Sequence, residues 1–165
     1  MFTVGILTIS DKGSRGDRQD KSGEAIRQIL SSMDVRIVNY DIIPDEKEFI
    51  IEKLVKWADE DNLDMVITTG GTGLTPRDVT PEATLVVVDR VVPGFAEAMR
   101  AESLKKTPHA MLSRAVVGTR GKCLIINLPG SPTAVRECLQ VILPALPHAV
   151  ETLKDQAGEC GTLQA

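Results

Sequence analysis

The chain has 165 residues, 42% hydrophobic and 25% charged, which are the proportions of an ordinary globular domain able to bury one core without a staple. Aromatic residues are only 3% of it (Phe2, Tyr40, Phe49, Trp57 and Phe95), so the core must be aliphatic and platforms for stacking nucleobases are scarce. A net charge of −4 and a pI near 5.2 argue against general nucleic-acid binding, and no run approaches the ~18 apolar residues of a membrane span.

Residues 3–9 form a short β-branched run of the kind buried on both faces of a parallel sheet. The opening lacks the basic region of a signal peptide. Cys123, Cys138 and Cys160 are odd in number and contain no CxxC pair, which points to a reducing compartment, inert buried thiols and a cytoplasmic protein. Next, Ala25, Ile26, Ile29, Leu30 and Met33 fall at helical spacing behind Asp20 or Ser22 as N-cap. Val35 to Ile43 reads as a second strand ending at Pro44. Asp45-Glu46-Lys47-Glu48 then has the form of a capping box, with Phe49, Ile50, Leu54, Val55 and Trp57-Ala58 as the apolar face of its helix. Residues 64–69 make a third strand that runs into glycines.

Thr80-Pro81-Glu82 opens a helix with Thr80 as N-cap and Pro81 in its first turn, and another helical stretch follows Gly94 through Phe95, Ala98 and Met99. Residues 115–117 and 123–128 flank the turn-forming Thr119-Arg120-Gly121 as a hairpin. Ser131-Pro132 caps a last helical region, interrupted at Pro144 and Pro147, and the tail beyond Asp155 is expected to fray. The pattern predicts a single α/β domain over residues 1–165 with a mostly parallel sheet.

Chemistry concentrates at strand ends. Thr69-Gly70-Gly71-Thr72-Gly73, followed by Arg77, Asp78 and a Pro-led helix, gives a backbone free to approach a ligand and to present N–H groups to an anion. In an open α/β sheet, ligands bind in the crevice beyond the carboxyl ends of the strands. The loop has neither the lysine of a Walker A motif nor GxGxxG spacing, and a tight strand-to-helix turn is the plain alternative. Asn127-Leu128-Pro129-Gly130-Ser131-Pro132 repeats the arrangement at another strand end, where a simple αβ turn competes with a binding loop.

The Ser10–Lys21 segment is long for a βα connection, which makes it either functional or a solvated loop. Three carboxylates beyond strands have two readings each. Asp45 reads as an N-cap or a metal ligand, and Asp78 as a turn residue or a Mg²⁺ ligand; Asp11 is placed like Asp78. His109 and His148 have no ligand-spaced partners, and no nucleophile–histidine arrangement is evident.

With Ile9-Ser10-Asp11, Ile43-Pro44-Asp45-Glu46, Thr69-Gly70-Gly71-Thr72-Gly73, Asp78-Val79-Thr80-Pro81-Glu82-Ala83 and Leu128-Pro129-Gly130-Ser131-Pro132 together, the chain resembles the MogA/MoaB family of molybdenum-cofactor biosynthesis over about residues 3–150. The match leans towards its adenylyltransferase members. The resemblance implies a three-layer α/β/α fold, a homotrimer, and transfer of AMP from Mg-ATP to the terminal phosphate of molybdopterin with release of pyrophosphate. The product would pass to a molybdenum-inserting enzyme. It also implies Asp45 and Asp78 as catalytic residues and Mg²⁺ ligands, with Ser10, Asp11, Thr69, Gly70, Gly71, Thr72, Gly73, Pro129, Gly130 and Ser131 in the substrate pocket.

The chain ends earlier than some MogA proteins, so their tail contacts are not expected here. The intact Asp78-Val79-Thr80-Pro81 favours a working enzyme. A non-catalytic molybdopterin carrier and an oligomeric scaffold with a purely structural glycine loop are the alternatives.

Overall fold

The computed structural model describes residues 1–155, so the expected fraying of the tail and the state of Cys160 lie outside the described residues. The strands are β1 (Phe2–Ile9), β2 (Val35–Ile43), β3 (Met65–Thr69), β4 (Arg90–Val91), β5 (Val117–Arg120) and β6 (Cys123–Leu128). They hydrogen-bond in the order β2-β1-β3-β6-β5-β4. The first four in that order are parallel, while β5 runs antiparallel to β6 and β4 antiparallel to β5. The helices are α1 (Asp11–Ser14), α2 (Lys21–Leu30), α3 (Lys47–Val55), α4 (Thr80–Val87), α5 (Pro93–Leu104), α6 (Pro132–Ile142) and α7 (Leu146–Leu153).

Period-two alternation along buried strands sorts the core into two layers. Val4 and Ile6 of β1, Met65 and Ile67 of β3, and Leu124, Ile126 and Leu128 of β6 pack with Ala25, Ile26 and Leu30 of α2 and Val135 and Leu139 of α6. Their neighbours Leu7, Ile9, Val66, Cys123 and Ile125 face the other way, against Ile50 and Leu54 of α3, Trp57, and Ala83 and Val87 of α4. Helices on both faces of a mostly parallel sheet give three layers. Cys123 and Cys138 are buried free thiols, and burial pushes the Cys123 thiol up to about 12, as expected of inert core cysteines. No helix among the described residues is long and apolar enough to cross a membrane.

Two local expectations fail for one reason. Asp45 does not cap α3, whose N-cap is Glu46 without a side-chain bond, because the Asp45 carboxylate is taken by a backbone amide from the β1 end. Thr80 is the first residue of α4 rather than its cap, because its hydroxyl donates to the Gly70 carbonyl at 2.9 Å. Long-range partners outcompete the local caps. The hairpin is shifted as well: residues 115–116 precede β5, and Gly121-Lys122 make the turn. At the last helical region, Ser131 caps α6 as expected, and a short 3₁₀ turn, Leu143–Ala145, separates it from α7.

Candidate active site

Strand order reverses between β1, whose chain goes on to β2 on one side, and β3, whose parallel neighbour on the other side is β6. Crevices form at such a switch point. Here a cleft of about 930 Å³ opens over the carboxyl ends of β1, β3 and β6. That volume is at the upper end of the usual range for small-molecule sites, roughly 300–1,000 Å³.

Of the residues expected at the site, Ser10, Asp45, Thr69, Gly70, Gly71, Asp78, Gly130 and Ser131 line this one cleft. The others support it from behind. Thr72 is buried and its carbonyl is bonded by the Arg114 amide, and the Gly73 carbonyl is bonded by the Arg114 side chain. Pro129 gives its carbonyl to the Thr69 hydroxyl at 2.7 Å. Asp11 sits beside Asp45 rather than in the cleft wall.

The glycine loop passes very close to its neighbours. Gly70 has φ +98°, and a Cβ there would lie 2.2 Å from the Ile9 carbonyl oxygen. Its N–H donates to the Leu128 carbonyl at 3.2 Å, which ties the ends of β3 and β6 together. The Ser22 hydroxyl donates to the Gly130 carbonyl at 2.6 Å, fixing the second loop to the start of α2.

The acidic side of the cleft is built around Asp45. Asp11 N–H donates to Asp45 Oδ2 at 2.8 Å, and Asp45 N–H donates to Asp11 Oδ1 at 3.1 Å. Arg77 clamps Asp11 with Nε at 3.0 Å and Nη2 at 2.9 Å, and Nη2 also reaches Glu46 at 2.9 Å. The Arg77 hydrogen bonds hold the Asp11 carboxyl below its usual range. Asp45 is pushed the other way, first by burial and then by the charges of Asp11 and Asp78, against the Asp11 amide bond and Arg77. Asp78 closes a small turn, its Oδ2 accepting from Thr75 N–H at 2.9 Å.

Asp45 and Asp78 fit a Mg²⁺ that relies on substrate. Their charges repel across the cleft, which a cation relieves, and Mg²⁺ is commonly held by one or two carboxylates plus substrate phosphates. No closed cluster of three or more ligating side chains exists among the described residues.

Another side comes from the Ser10–Lys21 segment, which contributes Arg18, Gln19, Asp20 and Lys21 to the cleft. Asp20 is both the N-cap of α2, accepting from Gly23 N–H at 2.9 Å, and the acceptor for the hydroxyls of Thr8 (2.6 Å) and Tyr40. The cleft thus brings the cations Arg18 and Lys21 and the carboxylates of Asp45 and Asp78 together at the ends of the strands.

The sequence does not single out Arg114, and it marks Asn127 only as the start of the second strand-end loop. Arg114 donates from Nε to the Gly73 carbonyl and from Nη2 to the Asp78 carbonyl, both at 2.7 Å, and from Nη1 to Glu82. Asn127, fully buried on β6, donates to the hydroxyls of Thr68 (3.0 Å) and Thr84 (2.9 Å) and accepts from Val116 N–H at 3.1 Å. Nothing in the residue pattern around Arg114 signals a partner so far along the chain, and the pattern at Asn127 points to the loop that follows it rather than to a buried tie.

Comparison with known proteins identifies the family of the chain and its fold. Residues 5–148 match the family described as "Probable molybdopterin binding domain". The chain is 47% identical over 152 residues to a molybdopterin adenylyltransferase of Helicobacter pylori, covering 91% of this chain and 86% of that one. It is 44% identical over 144 residues to the molybdopterin adenylyltransferase of Escherichia coli, covering 86% and 74%. Among solved structures, the molybdopterin biosynthesis enzyme MoaB from Thermus thermophilus superimposes with a TM-score of 0.90 at 54% identity, covering 94% of this chain and 98% of that one. On the family match over most of its length, and on these identities and this superposition, the chain belongs to the MogA/MoaB family of molybdopterin-binding proteins of molybdenum-cofactor biosynthesis.

Proposed function

We propose that the chain is a Mg²⁺-dependent molybdopterin adenylyltransferase, transferring AMP from ATP to the terminal phosphate of molybdopterin. The observation that carries this reading is the single cleft that brings Asp45 and Asp78 together with the glycine-loop backbone and the cations Arg18 and Lys21. Such a cleft suits two anionic reactants held side by side.

In the reaction, a terminal phosphate oxygen of molybdopterin attacks the α-phosphorus of ATP. A new P–O bond forms, the bond to the β-phosphate oxygen breaks, and pyrophosphate leaves. A phosphate monoester is largely ionised at neutral pH, its second pKa being about 6, so the nucleophile needs no strong general base. That matches a cleft without a histidine in its lining. Catalysis is then mainly positioning and electrostatics. The Gly71 backbone and the amino ends of α2 and α6 offer N–H groups to phosphate oxygens, while the Gly70 N–H is used to tie β3 to β6. Asp45 and Asp78 would hold the metal, which when bound offsets charge on the phosphates and orients the leaving group. Ser10 and Ser131 are engaged as N-caps, accepting from Gly13 N–H at 3.0 Å and Ala134 N–H at 3.3 Å, and so shape the two loops.

On this reading residues 1–165 are one catalytic domain, acting in the cytoplasm as a homotrimer and passing its product to a molybdenum-inserting enzyme. The test is incubation of purified protein with Mg-ATP and molybdopterin, with detection of adenylylated pterin and pyrophosphate. Saturable pterin binding without pyrophosphate release would replace the enzyme by a carrier, and no binding at all would leave only a scaffold.

A further inference from the structure

We infer that Arg114 is a positioning residue for AMP transfer, holding the glycine loop in the one shape that presents Asp78 to the cleft. The inference rests on the adenylyltransferase reading above and concerns a residue outside the cleft lining.

The loop between β3 and α4 has to cross ten residues, 70–79, without regular structure. Its two ends are secured by the sheet and by Thr80, whose N–H donates to the Gly71 carbonyl at 3.1 Å and whose hydroxyl donates to Gly70. Its middle depends on Arg114. The Arg114 N–H bonds the Thr72 carbonyl at 2.9 Å, while one guanidinium bonds the carbonyls of Gly73 and Asp78 at 2.7 Å each. Those two carbonyls are the entry and exit of the Gly73–Asp78 turn, in which Leu74 is 64% exposed. A planar fork with fixed N–H directions suits this task, since it sets the separation of the two limbs. A lysine ammonium would act as a point charge and set neither direction.

The guanidinium is itself oriented. Glu82, in the first turn of α4, accepts from Nη1. Burial is the strongest single influence and works against ionisation of Glu82, but the Arg114 bond and charge, the residue's own backbone N–H and the charge of Lys47 together hold the carboxyl below its usual range. From behind, Arg100 of α5 donates to the carbonyls of Ser113 (3.4 Å) and Ala115 (3.1 Å), pinning the backbone on either side of Arg114. A chain of contacts thus runs from α5 through residues 113–115 to the backbone of Asp78. A misplacement of about 1 Å at a reacting group can cost roughly 10²-fold in rate.

The experiment compares wild type, Arg114→Ala, Arg114→Lys and Glu82→Gln in AMP transfer from Mg-ATP to molybdopterin, alongside amide hydrogen exchange over residues 72–78. For Arg114→Ala the expectation is a fall in kcat of roughly 10²-fold with a much smaller change in KM for molybdopterin. Exchange should be faster at residues 72–78 and unaltered in β1 and β6, with partial recovery of kcat on adding guanidinium ion. Glu82→Gln should fall between Arg114→Ala and wild type, and Arg114→Lys should fail to restore the loop. If the alanine variant does not fold, the lysine and glutamine variants carry the same comparison. Kcat within about twofold of wild type in the folded variants, or faster exchange throughout the molecule, overturns the inference. A wild type without pyrophosphate release would overturn the adenylyltransferase reading instead, so the two failures are distinguishable.

Discussion

Asp11 and Asp45 cap each other: each carboxylate accepts the other's backbone N–H, at 3.1 Å and 2.8 Å, across the ends of β1 and β2. The exchange satisfies two amides that the sheet has released, but it brings two negative charges together. Arg77 offsets one of them by its paired hydrogen bonds to Asp11. Asp45 carries the remaining cost.

The first prediction concerns Asp45→Asn. Burial, with Asp11 and Asp78 nearby, raises the Asp45 pKa in the fold above its unfolded value. The folded protein therefore binds this proton more tightly, and stability falls as pH rises from the unfolded carboxyl range, about 3.9, through the folded value. At pH 7 the charge is a net liability, while the asparagine keeps an acceptor for the Asp11 amide. The variant should melt higher than wild type at pH 7, by about 2–4 °C for each kcal/mol relieved. The difference should vanish in acid, and AMP transfer should drop by roughly 10²-fold or more. Thermal melts from pH 3 to 8 check the sign, and a variant less stable at pH 7 would contradict it.

Arg77→Gln tests the other half of the pair. Arg77 is 52% exposed, and exposed ion pairs contribute about 0–1 kcal/mol, so its melting temperature should barely change. Its charge nevertheless lowers the pKa of both Asp11 and Asp45. Removing it should move the acid limb of kcat/KM to higher pH, with little effect on the plateau. Added salt should reproduce part of the shift in the wild type, because screening weakens exposed charge interactions.

What the sequence revealed and concealed follows from the range of the interactions. β1, β3 and β6 are short, mostly apolar and β-branched runs, and the glycines directly after β3 mark a strand-end loop, so sheet and cleft are written locally. The capping box at Asp45 was also a local signal, but the Asp11 amide, 34 residues away, claims the carboxylate. Arg114 reaches back 41 residues to Gly73 from a segment without periodicity. β4 has two residues, too few to show a period. Interactions closed by tertiary contact leave no spacing to read.

Asn127 is the clearest case of such a contact, and Asn127→Ala should be costly. Its side chain is 0% exposed and joins β6 to β3, α4 and residue Val116. Truncation leaves the Val116 N–H and two hydroxyls short of a partner, at about 1–3 kcal/mol for each group left unsatisfied. Urea denaturation should show a lower midpoint at unchanged slope. Because Val116 follows the Arg114 segment, AMP transfer should fall further than the folded fraction alone explains. Equal losses in stability and activity would separate the two.

The glycine loop offers a test with an internal control. Gly70 and Gly16 both have positive φ, +98° and +78°, and a side chain at either is strained. At Gly16 an added Cβ meets nothing within 4 Å, whereas at Gly70 it lies 2.2 Å from the Ile9 carbonyl oxygen. Gly16→Ala should therefore cost only backbone strain, about 1–3 kcal/mol. Gly70→Ala adds overpacking of about 1–3 kcal/mol, because the clashing atom is backbone and cannot rotate away. Relief requires β1 and β3 to separate at the switch point, which would move Asp45 and the glycine loop apart. The measurement is the difference between the two variants in denaturant midpoint, together with pterin affinity. Gly16→Ala should bind molybdopterin like wild type, and Gly70→Ala should be both less stable and weaker in binding. Equal midpoints for the two variants would mean that the strands at the cleft floor separate at little cost.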